Sequence, residues 1–209
     1  MAGRGTHVLV EHGGLDRERA LRLFERCGPA RYQGRGAAVT AADRARWADA
    51  AEASGWAQAY AWDVPGPGGR LVRVSLSLQA SAVKLRGVAP ASWLHLVCAL
   101  PFDDPAEALW LGDYLAAMGD ALPLSFAFAD TEHHLRENAN ADPRKLAWPI
   151  MLLGPAHVQR LGEERIRSAP AVVREVGGSL LVLASEAPLA ARARTLDALA
   201  AHLGRSARR

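Results

Sequence analysis

The densest run of ligand-type side chains in the sequence is Asp130-Thr131-Glu132-His133-His134, where two carboxylates and two imidazoles fall within five positions. Carboxylate oxygens and imidazole nitrogens coordinate divalent ions, and histidine changes charge near neutral pH. Such a run therefore has the chemistry of a metal site or an acid–base pair. It follows the alternating segment Leu122, Leu124, Phe126, Phe128, which places it at the exit of a strand. A strand end holds side chains rigidly, and the loop beyond it leaves a coordination position open. Spacing weighs the other way. Neighbouring side chains diverge, and the sequence offers no second His-rich segment to complete a set of ligands. Three readings follow: a solvated loop, a metal-dependent hydrolase site using Glu132, His133 and His134, or a contact for a protein partner. His95, alternating with Trp93 and Val97, and His157, on a short helical pattern, read as core histidines with hydrogen-bond partners.

The patterns that announce common enzyme classes do not occur in the sequence: no phosphate loop, no G-x-G-x-x-G after a strand, no G-x-S-x-G, no H-E-x-x-H and no C-x-x-C. The glycines within 66–69 lie between two strand patterns and read as a hairpin turn rather than an anion cradle. Six tryptophans are many for this length, and most belong in a core. One that is exposed beside acids marks a binding face, because aromatic side chains anchor protein interfaces. Trp110 is the candidate: it lies off the Leu111, Leu115, Met118 stripe of a helix that opens with Asp103-Asp104.

The elements that must position these residues are legible in the patterning. Residues 6–11 form a β-branched run. Asp16 caps a helix whose stripe is Ala20, Leu21, Leu23, Phe24 and Cys27, ended by Gly28-Pro29. A capping box starts a second helix at Thr40 with Asp43 in the Glu position, and Ser54-Gly55 ends it. From Trp56 the period becomes two, with Trp56, Tyr60 and Trp62 on one side and Ala57, Ala59 and Ala61 on the other; the small side suits close approach by a helix. Val72 to Leu78 is its hairpin partner. After a break near Gly87 and Pro90, residues 93–100 are apolar on both faces, as in a central strand. Asp104-Pro105 is a cap followed by proline at the first helical position, and Gly119 ends that helix. Residues 130–147 read as a long polar loop with room for one helical turn. The run from Trp148 to Pro188 gives a short helix stopped by Gly162, then a hairpin turning at Gly177-Gly178. A Leu-rich helix ending at Gly204 closes the chain. About seven strands and five helices, mostly in hairpins, predict one α+β domain over residues 1–209, built on a largely antiparallel sheet.

Composition narrows the class of function. Half the residues are hydrophobic and 22% are charged, the balance of a globular domain, and the net charge is only +3, with the arginines interleaved with acids. Nucleic-acid binders concentrate positive charge, so that partner is not expected. The basic tail from Arg205 reads as a solvated end. Two cysteines, Cys27 and Cys98, on apolar faces read as buried free thiols. No stretch reaches the roughly 18–20 apolar residues of a membrane span, and the first residues lack the apolar core of a signal peptide. A cytoplasmic protein with no membrane partner is expected, and a homodimer stays open.

The segment from Trp148 through LLGPAHVQRLG to VVREVGGSLLVLASEAP, with the closing Leu-rich helix, resembles the C-terminal region of bacterial immunity proteins associated with type VI secretion effectors. WLHLVCALPFDDPAEALWLGDYLAAMGDALPLSFAFA is similar to the middle strand, helix and strand of that family, first catalogued as a domain of unknown function. The resemblance implies a non-enzymatic, cytoplasmic protein that neutralises a cognate toxin by direct contact. It implies no catalytic residue, cofactor or metal. On that reading the expected contact residues are Asp103, Asp104, Trp110, Glu132, His133 and His134. The alternatives are the metal-dependent hydrolase above and a scaffolding domain whose partner is not a toxin.

Overall fold

The computed structural model describes residues 5–31, 36–81, 85–86, 88–100, 102, 104–185, 188–190 and 193–205. Asp103, Gly87 and the tail beyond Arg205 lie outside them. Local rules account for most element starts. Helix α1 (Arg17–Cys27) is capped by Asp16, which accepts from the Arg19 amide at 2.8 Å. In α2 (Ala41–Ala53) Thr40 and Asp43 cap each other's backbone reciprocally. Helix α3 (Pro105–Gly119) begins as its Asp-Pro start requires. The hairpin of β7 (Val172–Val176) and β8 (Ser179–Leu183) turns through Gly177 and Gly178 at φ 55° and 74°, the two consecutive positive φ angles of a tight two-residue turn.

The remaining strands are β1 (Thr6–His12), β2 (Ala59–Pro65), β3 (Leu71–Ser77), β4 (Trp93–Cys98), β5 (Leu124–Thr131) and β6 (Ile150–Leu153). All eight form one sheet in the order β2-β3-β4-β1-β5-β6-β8-β7, and every neighbouring pair is antiparallel. The protein is thus α+β, as its pattern predicts, with one strand more than the count from sequence. Each face of the sheet has its own core. One buries Val8, Val10, Leu94, Leu96, Ala127 and Ala129 beneath α1, α2 and α3. The other buries Leu9, Trp93, Phe126, Phe128 and Met151 beneath α4 (Glu132–Glu137), α5 (Pro155–Leu161), α6 (Glu163–Arg167) and α7 (Ala193–Leu203). Covering on both sides is why β4, β6 and β8 carry apolar residues at nearly every position.

Three expectations about the strands and helices change. Residues 150–153, which read from the sequence as the approach to a helix, are β6: four apolar residues carry too little period to identify, and pairing with β5 and β8 decides their state. Gly162, at φ 87°, both stops α5 and starts a further helix, α6. In β2 the helices meet the large side rather than the small one: Trp62 and Tyr60 pack edge-on against Phe24 of α1, while Ala59 and Ala61 are exposed. Alternation separates two faces but does not say which one receives a helix. Cys27 and Cys98 are free and buried as expected, and desolvation pushes both thiols up to about 12. Among the described residues no helix is long and apolar enough to cross a membrane.

Candidate functional site

The run at 130–134 is the hinge between β5 and α4, and its side chains divide their labour. Asp130, 1% exposed, accepts the Thr131 amide at 2.7 Å and the Nδ1–H of His134 at 2.9 Å. Thr131 caps the helix with its hydroxyl, and Asn138 closes the other end by donating Nδ2–H to the His134 carbonyl at 2.9 Å. Leu135 anchors α4 in the second core. Glu132 and His133 face solvent, Glu132 paired with Arg136 and His133 Nε2 lying 3.3 Å from Glu137. The two adjacent histidines are therefore committed to different carboxylates, as side chains on neighbouring helix positions must be. Among the described residues no three His, Cys, Asp or Glu side chains are grouped to hold a metal ion.

The sheet adds two histidines to this hinge. His7 of β1 is the register partner of Asp130 in β5, and His95 of β4 is the register partner of Leu9, so all three side chains lie on one face across adjacent strands. His7 Nδ1 lies 3.0 Å from His95 Nε2, with the rings stacked at 5.1 Å between centroids. Burial, then the neighbouring His7 charge, brings His95 down to about 4. Burial also lowers His7, with Arg136 acting in the same sense and Glu132 against it. His95 is the hydrogen-bonded core histidine that its strand pattern suggests. Its partner is invisible in the sequence, because 88 positions separate the two rings and only the order β4-β1-β5 brings them together.

Asp104 and Trp110 stand on α3, across the sheet from α4. Asp104 is exposed and spends its carboxylate on the cap, accepting from the Ala106 amide at 2.7 Å. Trp110 is half-buried: its indole N–H donates to the Pro65 carbonyl at 2.8 Å, and its ring stacks on Tyr114 at 5.3 Å. Near it, buried Glu107 pairs with Arg70. Strand β4 ends, α3 begins and β5 ends on the same rim, because β4 and β5 both run antiparallel to β1. The described candidates therefore share one end of the sheet, on opposite faces of it.

Two further polar sets lie elsewhere. Arg144 bridges Glu11 and Asp142 and stacks over Trp93 at 5.2 Å. Arg205 is not the solvated tail residue that composition suggests. It reaches back over Phe126 at 5.3 Å and donates to the Leu146 carbonyl at 2.9 Å, and burial brings its guanidinium down to about 10. An open groove of about 370 Å³ between α5, α6 and β8 is lined by Pro155, Val158, Glu163, Arg167 and Leu180.

Fold and rim together define a single-sheet α+β protein, helices on both faces, with a charged helix mounted at one sheet end. No family model matches the sequence, and no curated protein does. Among solved structures the chain is similar to a Pseudomonas aeruginosa T6SS protein, PA0821, at 13% identity and a TM-score of 0.40, over 93% of this chain and 72% of that one. A likeness that distant carries no functional argument.

Proposed function

We propose that this chain is a non-enzymatic, cytoplasmic, immunity-type protein that neutralises a cognate bacterial toxin by direct contact through the rim bearing α4. The resemblance of 148–188 and 93–129 to immunity proteins supplies the class. The observation that carries the choice of surface is the mounting of α4. Asp130, Thr131, Leu135 and Asn138 are spent on fixing the helix, while Glu132, His133, Arg136 and Glu137 are displayed. A charged helix fixed before binding loses little further entropy when a partner docks, and displayed charge speeds and orients the encounter. Asp104 and Trp110 extend the same rim onto the opposite face. A stable inhibitory complex would cover about 1,200–2,000 Å² in total, more than α4 alone presents.

The test compares tagged wild-type protein with the variant Glu132→Lys, His133→Ala, Arg136→Glu in pull-downs from the native lysate. The swapped pair keeps the ion pair within α4 and reverses the pattern it shows. The expected result is one stoichiometric partner that arrests growth when produced alone and is lost by the variant. Retention by the variant would remove α4 from the interface, and no toxic partner for the wild type would end the immunity reading.

A further inference from the structure

We propose that Arg205 holds a small carboxylate on the Nε–H and Nη2–H edge of its guanidinium, in a donor-rich site over Phe126. Phe126 lies toward the end of β5 remote from α4, so this site is separate from the contact surface described above, and its test needs no protein partner. The starting observation is a concentration of buried donors. Among the described residues, nine buried side-chain nitrogen and oxygen atoms have no hydrogen-bond partner, and five of them belong to three residues around one ring: Arg205 Nε and Nη2, both ring nitrogens of His157, and Trp93 Nε1. The Arg205 guanidinium carbon lies 5.3 Å from the Phe126 centroid, His157 stacks on that ring at 5.3 Å, and Trp93 meets it edge-on at 6.3 Å. Guanidinium and indole groups only donate, and a neutral imidazole carries one N–H. Buried donors without an acceptor destabilise a fold, so their concentration marks where an acceptor belongs. His157, 8% exposed, is thus not the hydrogen-bonded core histidine that its pattern suggests: the Ser125 carbonyl is near but is not aligned as its acceptor.

The geometry of Arg205 sets the class of acceptor. Nη1 donates to the Leu146 carbonyl at 2.9 Å and touches Met151 Sδ at 3.5 Å, which fixes the guanidinium and leaves Nε and Nη2 as its unpartnered edge. The N–H bonds on that edge run side by side, spaced for the two oxygens of a carboxylate. The same row of the sheet shows such an edge in use. Trp93, Glu11 and Phe126 stand in register across β4, β1 and β5, and Arg144 lies over Trp93 as Arg205 lies over Phe126. Arg144 Nε donates to the two Glu11 carboxylate oxygens at 3.0 and 3.1 Å, and its Nη2 donates to Oε1. One arginine of the row is therefore matched by a carboxylate from the chain itself, and the other presents the same edge without one.

The neighbouring acids do not supply that match, because Glu11 and Asp142 are both paired with Arg144. Charge balance favours a carboxylate over a phosphate. A single negative charge neutralises Arg205, whereas a phosphate would bring excess charge against Phe126 and Met151, where nothing compensates its loss of water. The field agrees: burial, then the charge of Arg160, opposes the charged guanidinium, and a bound anion relieves both. Arg205 follows Gly204 at the end of α7 and is partly accessible, so movement of this one side chain opens the edge to a ligand. A seated carboxylate would then tie the end of α7 more firmly to the sheet.

The experiment is an NMR titration of isotope-labelled full-length protein at neutral pH with sodium acetate, repeated with sodium phosphate and with sodium chloride at matched ionic strength. Acetate is expected to shift the Arg205 Nε–H and the backbone amides of Leu146 and Arg205 saturably, while chloride leaves them in place. A midpoint on the order of millimolar is within reach of a ligand of four heavy atoms. Arg205→Lys keeps the charge but lacks the paired donors, so it should weaken acetate binding about tenfold or more, read at the Leu146 amide. The wild-type titration decides by itself if that variant does not fold. The proposal is overturned if acetate and chloride act alike, if phosphate saturates the site and acetate does not, or if folded Arg205→Lys binds acetate as tightly as wild type.

Discussion

Replacing Asp130 with alanine tests whether α4 is held from the sheet or merely follows it. The carboxylate is buried and accepts two hydrogen bonds, from the Thr131 amide at 2.7 Å and from His134 Nδ1 at 2.9 Å. Bonds to a charged group contribute about 1.5–3 kcal/mol each. The His134 side chain is 28% accessible, so its share belongs at the low end of that range. Together they predict a cost of about 3 kcal/mol for Asp130→Ala and roughly half of that for Asp130→Asn, whose amide oxygen keeps one acceptor. The loss should appear first as local opening. Three kcal/mol converts to roughly a hundredfold faster amide exchange across 132–137 if α4 opens without the rest of the fold. Hydrogen exchange by mass spectrometry reads the helix, and urea denaturation reads the whole domain. Unchanged α4 protection together with a denaturation free energy within about 0.5 kcal/mol of wild type would refute the mounting. A global loss with no change confined to α4 would assign Asp130 to the sheet alone and remove the physical basis for a preorganised contact helix.

Two further predictions follow from packing and protonation. An added Cβ at Gly154 would stand 2.7 Å from both the Leu124 and the Ser125 carbonyl oxygens, backbone atoms that cannot step aside. Gly154→Ala should therefore cost about 2–3 kcal/mol in urea denaturation. At Gly112 the obstruction at 2.7 Å is the tip of the Leu181 side chain, and alanine recovers about 1 kcal/mol of helix propensity, so Gly112→Ala should stay close to wild type. Equal effects at the two glycines would contradict both placements. For acid stability the sign is set by histidines whose folded values lie below the unfolded one. Below pH 6.5 the unfolded chain takes up protons that the fold refuses, so stability is intact above that value and falls as pH drops toward about 4. His95 alone should remove about 2 kcal/mol between pH 7.5 and 5, and His95→Asn should flatten that decline relative to wild type. An equally steep decline in the variant would show that His95 is not the group resisting the proton.

Features that depend on a few consecutive residues are legible in the chain itself. The caps at Asp16, Thr40 and Asp104, the Gly177-Gly178 turn and the apolar stripes of α1 and α3 are such features, because capping and turn geometry are settled within one helical turn or one hairpin. The 130–134 run is legible as a place of interest and not as an arrangement. Its residue types say ligand or contact; its use of Asp130 and His134 to brace a helix comes from burial. Residues 150–153 and 163–167 escape recognition for a related reason. Each is short, and its state is decided by what pairs with it or packs on it.

By itself the sequence determined an α+β chain of alternating strands and amphipathic helices, its local starts and stops, two buried thiols and a surface of mixed charge, since all of these follow from local conformational preference and the hydrophobic pattern. The tertiary structure alone decided that β1 lies between β4 and β5, that helices cover the Tyr60 and Trp62 side of β2, and that Arg205 folds back over Phe126. Strand order is a long-range choice made by burying both faces of one sheet, and no local rule encodes it. The pairing of His7 with His95 is a product of that choice.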